Sequence, residues 1–341
     1  LPDTSVIFMS GYSDKEYLKA AIKLKAINYV EKPLDPQEIK EAVLEAKERH
    51  QQKIRTRLSE NLYSMEKTSH LALLFTKPYK ENVEKVTQLA DGLTSGSSFT
   101  TYIVKLRTNE PDNSLLNNLR NDFSDFLTHY HLQVFYIQLH AIYHVFHIMG
   151  SCAPSSTALS AIEQYLEKQF HTFGDFFVGR GETVTGVGKV YHSYTTAVVT
   201  LQSSFFFEPG AILYAADIKT PPAGTDVREA ADDAAPAFTD ALLAGDRGSC
   251  TAILQNLYST YFQNCTLFPN QIKDLYYKLF MSISDSRVKL KLNWEPGENN
   301  TQESIMEHLE SCFTYQELHQ MLVSRTEQFF QSIDSYVPED T

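Results

Sequence analysis

The start of the chain constrains the fold most, because two short apolar runs flank a segment with helical spacing. The first run is Val6–Met9, followed by Ser10, and the second is Ile27–Val30, which ends shortly before Lys32. The order strand, loop, helix, strand, loop is typical of a doubly wound α/β sheet, whose parallel strands place their carboxyl ends at one edge. The pattern therefore predicts that the Ser10 hydroxyl and the Lys32 ammonium face the same crevice.

A hydroxyl and a lysine arranged in this way suit a phosphoryl group, since one hydrogen-bonds an oxygen and the other neutralises charge. With Tyr29 before Lys32 and Pro33 directly after it, the stretch resembles the last third of a two-component receiver domain. The resemblance implies that Ser10 and Tyr29 are the switch residues and that the bond between Lys32 and Pro33 is cis. Lys25 departs from the pattern, because the family usually has glycine there.

The segment SGYSDKEY, residues 10–17, further resembles response regulators that carry an AraC-type DNA-binding domain. This implies a sensor histidine kinase and DNA as partners of the full-length protein, a homodimer, and Mg²⁺ in the intact receiver. The family's phospho-accepting Asp lies on an earlier strand, so we expect it outside this chain. We therefore expect the chain alone to hold no cofactor, accept no phosphate and bind no DNA. Without the earlier strands, residues 1–35 are expected to be poorly ordered or packed against a second copy.

Composition places the whole chain among globular, core-forming proteins. Hydrophobic residues make up 43% and charged residues 21% of the positions, a balance typical of sequences that form a packed core. The length of 341 residues predicts two or three domains. The net charge of −12 argues against nucleic-acid binding by phosphate neutralisation. We expect a cytoplasmic protein with reduced thiols, because there is no membrane-spanning run, no signal peptide and no CxxC spacing. The cysteines are Cys152, Cys250, Cys265 and Cys312.

A long helix is predicted after Pro33, with Asp35 as its N-cap and Pro36 at its first position. Apolar residues recur at steps of three and four, and no Gly or Pro interrupts them before Pro78. Such a helix would be about 40 Å long. It fits either a signalling helix that pairs with a second copy as a coiled coil, or a helix packed along the neighbouring domain. The sequence leaves both possibilities open.

From Leu71 to Ile218 the pattern mixes helices and strands. Leu71–Phe75 reads as a short apolar element, and the order from residue 99 onward is β-α-β-β-α-β-α-β. This order predicts a ferredoxin-like α+β core and is shared by nucleotide cyclase domains. Residues 178–218 resemble the degenerate, GGDEF-like cyclase domain of this regulator family. The residues that carry the resemblance are Gly179, Gly181, Ser193, Tyr194, Ala197 and Tyr214 to Ile218.

Catalysis by this domain is not expected. Active cyclases hold two metal ions with carboxylates from the first strand and from the turn between the two central strands. Here Phe99–Leu106 contains no Asp or Glu, and none lies between Leu132 and Glu163. Because Mg²⁺ needs hard oxygen ligands, we expect no metal site, and a role as a relay, a dimerisation surface or a sensor. An active or ligand-binding cyclase-like domain is the alternative.

Two further groups of residues are candidate ligand sites. Gly179, Arg180 and Gly181 could cradle a phosphate ahead of a helix, but a turn with positive φ would explain the glycines equally well. The histidines His140, His144 and His147 would align as metal ligands on a helix. The surrounding residues instead predict strands, on which His144 and His147 point to opposite faces. We therefore expect no metal at the histidines.

Residues 220–236, TPPAGTDVREAADDAAP, read as a linker, and the remainder of the chain as helices. Thr314 and Glu317 have the spacing of a capping box at the start of the last helix. This region resembles the connector that leads into AraC-type DNA-binding helices, which we expect outside this chain. The predicted domains are 1–48, the end of a receiver; 49–70, a linker helix; 71–218, the cyclase-like domain; and 219–341, the helical connector.

Overall fold

The computed structural model describes residues 4–10, 19, 22–90, 93, 96–107, 113–217, 227–264, 269–292 and 302–335. The chain divides into two compact units, Leu1–His70 and Leu71–Thr341. Helices combine with a parallel strand pair in the first unit and a mixed sheet in the second. The predicted mixture of α/β and α+β structure is confirmed at this level. Among the described residues, none of the helices combines the length and apolar character that a membrane span requires.

The first unit contains a parallel pair of strands and most of a long helix. Strand β1 (Ile7–Ser10) lies beside β2 (Asn28–Glu31), and the predicted parallel direction is confirmed. Helix α1 covers Pro36–Phe75. Its N-cap is Asp35, as predicted, because the Asp35 carboxylate accepts a hydrogen bond from the N–H of Gln37 at 2.8 Å. Residues 11–18 lie outside the described residues, and so does the greater part of the helix predicted there.

Helix α1 is longer than expected. It has 40 residues, which correspond to about 60 Å rather than 40 Å. The expectation of a separate apolar element at Leu71–Phe75 is wrong, since these residues form the last turns of α1. The physical reason is that no helix-breaking residue stands before Pro78. The side chains of Leu71, Leu74 and Phe75 are buried in a core cluster of the second unit.

The second unit is organised around one sheet with the strand order β4-β5-β3-β6-β8, and with β7 beside β3. All neighbours pair antiparallel except β6 and β8, which are parallel. The elements follow one another as predicted, with the short β7 added. The strands are β3 (Ser98–Leu106), β4 (Gln133–Leu139), β5 (Tyr143–Gly150), β6 (Phe176–Arg180), β7 (Val184–Thr185) and β8 (Ile212–Leu213).

Helices cover both faces of this sheet, because side chains alternate along each strand. Tyr102 and Val104 of β3 pack with α3 and α4 on one face, whereas Ile103 packs with α5 on the other. Ser155 is the N-cap of α4, since its hydroxyl accepts a hydrogen bond from the N–H of Ala158 at 3.2 Å. The helices are α2 (Tyr79–Leu89), α3 (Asn113–Thr128), α4 (Ser156–Phe170) and α5 (Val190–Gln202), with 3-10 turns at His171–Phe173, Val187–Lys189, Ser203–Phe206 and Ala215–Asp217.

The C-terminal part of the second unit is helical, and it begins earlier than predicted. The linker prediction is wrong for residues 227–236, which are part of α6. Alanines favour helix strongly, and four of them lie in this stretch before Pro236. Residues 220–226 lie outside the described residues. The helices are α6 (Val227–Leu243), α7 (Arg247–Asn264), α8 (Pro269–Lys289), α9 (Gln302–Ser311) and α10 (Tyr315–Asp334).

The junction before α10 joins the helical part to the sheet. The Thr314 hydroxyl accepts a hydrogen bond from the N–H of Glu317 at 3.2 Å, as predicted, while the Glu317 carboxylate accepts one from the N–H of Phe313 at 2.9 Å. Glu317 also holds Arg107, the residue after β3, through two contacts of 2.8 Å. The Phe313 ring stacks on Phe177 of β6, with ring centroids 4.9 Å apart. Sheet and C-terminal helices therefore share one buried core.

Candidate functional site

The carboxyl ends of β1 and β2 form the first candidate site. Ser10 is the last residue of β1 and lies opposite Glu31 of β2, so Lys32 follows directly at the same edge. The Lys32 side chain is exposed. The bond between Lys32 and Pro33 is cis, as the resemblance implied. The backbone thus brings the predicted hydroxyl and ammonium residues to one end of the strand pair, and Tyr29 is the second residue of β2, opposite Phe8.

Lys25 has a backbone conformation that glycine adopts more easily than other residues. Its φ of 54° lies in the left-handed region, where glycine avoids the steric cost that other residues meet. The N–H of Lys25 donates to the carbonyl of Ile22 at 3.0 Å, which closes a turn ahead of β2. Glycine would therefore fit this position without the steric cost that lysine meets.

The second candidate site, Gly179 to Gly181, is shaped by packing. Neither glycine has a positive φ, so the expected turn is not what requires them. A Cβ on Gly179 would lie 2.7 Å from the carbonyl oxygen of Ala197, and one on Gly181 would overlap the carbonyl oxygen of Ser193. The Ser193 hydroxyl also accepts a hydrogen bond from the N–H of Thr101 at 2.9 Å. The two glycines allow α5 to lie directly on the sheet.

Arg180 is engaged by groups of the protein itself. Its guanidinium donates to the carboxylate of Glu163 at 2.7 Å and lies 4.4 Å from the centre of the Tyr214 ring. Tyr214 donates to the other Glu163 oxygen at 3.0 Å. Burial, followed by the charge of Glu163, raises the pKa of the Tyr102 hydroxyl, which also reaches this carboxylate. A ligand at Arg180 would have to displace Glu163, and a phosphate role for this loop stays a prediction.

The histidines of β5 are core residues on opposite faces, as the strand interpretation predicted. His144 Nδ1 hydrogen-bonds the Tyr136 hydroxyl at 2.9 Å, and His147 Nδ1 hydrogen-bonds the Thr101 hydroxyl at 2.9 Å. Burial lowers the pKa of His144 to about 4 and that of His147 to about 3. His140 lies in the turn between β4 and β5. Among the described residues, no three His, Cys, Asp or Glu side chains are grouped so that they could hold a metal.

A cleft that the sequence reasoning missed lies in the second unit between the sheet and the C-terminal helices. Its volume is about 880 Å³, and Lys105 of β3, Lys273 of α8 and Arg107 contribute its positive charges. Lys105 and Lys273 are far apart in the chain and belong to different elements, so no local motif connects them. Each lysine has the sequence surroundings of an ordinary half-buried position on a strand or a helix. A single sequence therefore contains no sign that the two lysines line one cleft.

The three places differ in their chemistry. The β1 and β2 edge presents an exposed lysine beside a strand that ends in a hydroxyl residue, which suits a bound phosphoryl group. The Arg180 network is closed on Glu163. The cleft combines lysines with aromatic walls and has room for a small molecule.

In comparisons with known proteins, no family model and no curated protein matches this chain.

Proposed function

We propose that the chain is the signalling part of a cytoplasmic two-component response regulator that controls transcription. The observation that carries the proposal is the parallel pairing of β1 and β2, which brings Ser10 and Lys32 to one sheet edge. In doubly wound sheets, ligands bind at this edge. The left-handed backbone at Lys25 supports the receiver interpretation. In the full-length protein the partners are a sensor histidine kinase and DNA, with Mg²⁺ in the receiver.

The proposed signal passes through α1. This helix begins shortly after Lys32 and continues without a break to Phe75, which is buried in the second unit. The Asn28 amide of β2 donates to the Glu45 carboxylate of α1 at 3.0 Å. A shift of β2 would therefore displace α1 through this hydrogen bond. Phosphorylation would draw the Ser10 hydroxyl toward the phosphate and let Tyr29 move inward. Pairing of α1 with a second copy would make the active form a homodimer.

The second unit acts in this proposal as a relay or dimerisation module of cyclase-like descent without catalysis. The antiparallel order β4-β5-β3-β6 and the connection of the strands by α3 and α4 correspond to the ferredoxin-like, split β-α-β arrangement. This supports a degenerate, GGDEF-like domain. Neither β3 nor the turn at residues 140–142 carries a carboxylate. The metal ligands of a two-metal mechanism therefore have no counterpart at these positions.

Phosphotransfer tests the proposal. A chain extended at its N-terminus by the preceding coding sequence is incubated with acetyl phosphate and Mg²⁺ and followed by intact mass. We expect a gain of one phosphoryl group in the extended chain and none in residues 1–341, because the acceptor Asp of a receiver lies on an earlier strand. Lys32→Met should greatly reduce the gain. An extended chain that takes up no phosphate, or a gain in residues 1–341 alone, would contradict the proposal.

The strand order also favours a second candidate, an active or ligand-binding nucleotide cyclase-like domain. Incubation of the chain with GTP or ATP and Mg²⁺, followed by chromatography of the nucleotides, separates the two candidates. We expect no cyclic product, because the hairpin between β4 and β5 has no carboxylate ligand for the metal. Product formation would overturn the relay. A nucleotide-dependent rise in melting temperature without turnover would favour a nucleotide sensor.

A further inference from the structure

We propose that the cleft between the sheet and the C-terminal helices of the second unit binds a small phosphate monoester with an aromatic or apolar organic group. This site goes beyond the relay function and does not depend on phosphotransfer at the first unit. The cleft volume of about 880 Å³ lies within the range of about 300 to 1,000 Å³ that small-molecule sites occupy. All residues used in the argument lie in the second unit.

The charges of the cleft point to an anion. Lys105 from β3 and Lys273 from α8 are both half-buried and both line it. Among the described residues, no carboxylate lies within ion-pair distance of either ammonium group. The Lys273 ammonium donates to the main-chain carbonyl of Glu310 at 3.3 Å, and the Lys105 ammonium lies 4.7 Å from the centre of the Phe313 ring. These are neutral partners, so the positive charge of the lysines is not matched by a contacting acid.

The third cation of the cleft provides an internal comparison. Arg107 is held by Glu317 and by Asp175, each at 2.8 Å. The charge of Arg107 is therefore neutralised at the junction with α10. The charges of Lys105 on β3 and Lys273 on α8 are not neutralised in this way. Burial lowers the pKa of Lys273, and the nearby Cys312 and Glu310, which also line the cleft, only partly offset that shift. Among the described residues that line the cleft, Glu310 is thus the one carboxylate residue, and it forms no ion pair with either lysine.

The environment adds a cost that a bound anion would remove. Burial lowers the pKa of both lysines, and the charge of Lys273 lowers that of Lys105 further. Two like charges in a partly desolvated cleft destabilise each other. A dianionic phosphate between them would supply the missing countercharge and accept hydrogen bonds from both ammonium groups. The same anion would gain more here than at an exposed lysine, since less solvent screens the pair.

The walls of the cleft favour a ligand with an organic part. Aromatic and aliphatic side chains from the sheet, from α5 and the 3-10 turn after it, and from the segment before α10 line the cleft: Ile103, Tyr143, Tyr194, Val198, Phe205 and Phe313. Small-molecule sites are mostly apolar with a few placed polar groups. Inorganic phosphate alone would leave this surface uncovered. The combination therefore selects a phosphate ester over a free phosphate ion.

Isothermal titration calorimetry of the full chain with phenyl phosphate tests the site. We expect binding that weakens about tenfold or more in Lys105→Met and in Lys273→Met, because each loses a charge-assisted hydrogen bond. Methionine keeps the unbranched apolar stem. The matched control is Lys168→Met, an exposed lysine of α4 outside the cleft, which should bind like the unchanged protein. Benzyl alcohol, which lacks the charge, should not bind, and inorganic phosphate should bind more weakly than phenyl phosphate.

Failure to bind phenyl phosphate, or equal losses in Lys168→Met and in the cleft variants, would overturn the proposal. Equal affinity for inorganic phosphate would overturn the assignment of the apolar walls. Should the variants fail to fold, acetylation of the unchanged protein read by mass spectrometry provides the test. Phenyl phosphate should then protect Lys105 and Lys273 but not Lys168, and absence of that protection would also overturn the site. None of these measurements involves phosphotransfer, so the regulator proposal can fail independently.

Discussion

Gly181→Ala is expected to lower the free energy of unfolding of the second unit by about 3 kcal/mol, the upper range for overpacked core sites. The added methyl group would overlap the backbone carbonyl oxygen of Ser193. A main-chain atom in the first turn of α5 cannot rotate away, so the helix must shift from the sheet. That shift also stretches the hydrogen bond from the N–H of Thr101 to the Ser193 hydroxyl. Urea unfolding followed by circular dichroism measures the loss.

The matched control for this substitution is Gly248→Ala. Gly248 lies in the first turn of α7, and a Cβ there would approach nothing closer than an Asp246 carboxylate oxygen at 3.4 Å. Because alanine favours helix over glycine by about 1 kcal/mol, we expect this variant to be equally stable or slightly more stable. If Gly181→Ala lost less than about 0.5 kcal/mol, the close approach of α5 to β6 would be contradicted.

Acidification below about pH 6.5 is expected to destabilise the second unit, because two of its buried histidines resist protonation. Burial lowers the pKa of His144 to about 4 and that of His147 to about 3. Below the ordinary histidine pKa of about 6.5 the unfolded chain binds protons that the folded chain does not. The contribution of the histidines to the free energy of unfolding is therefore fully present above that pH. It is lost as the pH falls toward their pKa values in the folded protein. The loss is on the order of 3 kcal/mol for each histidine.

Urea unfolding at pH values from 7 to 4, in the unchanged protein and in His147→Asn, measures this contribution. Asparagine can place a polar atom near the position of Nδ1 and keep the bond to the Thr101 hydroxyl, but it does not titrate. We expect a shallower decline of stability with falling pH in this variant. His171→Asn, at an exposed position, should keep the original slope. Equal slopes in all three proteins would show that His147 is not held neutral by burial.

Several features that are decided locally could be predicted from the sequence. Ser155 caps α4 through its own hydroxyl, and Asp35 caps α1 in the same way, because the donors lie two or three residues along the chain. The period of two along β5 places His144 and His147 on opposite faces. These are short-range effects, and a single sequence contains them.

Other features depend on contacts between distant segments, and the sequence alone missed them. The glycines at 179 and 181 resembled a turn or a phosphate loop, but their small size is needed by α5, a helix that follows in the chain. Lys105 and Lys273 line the same cleft only because α8 folds back toward β3. The alanine-rich stretch before Pro236 read as a linker, since a proline hides the helical preference around it. For the glycines and the lysines, tertiary packing decides what the residue type leaves open, whereas the helix before Pro236 follows a local preference of alanine.

The stacking of Phe313 on Phe177 has a thermodynamic consequence. Phe313 belongs to the helical part, yet it is buried in a cluster with Ile103, Val145 and Phe177 of the sheet. A cut at residue 218 would leave that apolar surface facing water and would release Arg107 from Glu317. Neither half can then lose its structure without weakening the other, so the two unfold cooperatively as one block. Motion passed to the sheet would reach α10 as a displacement of that whole block.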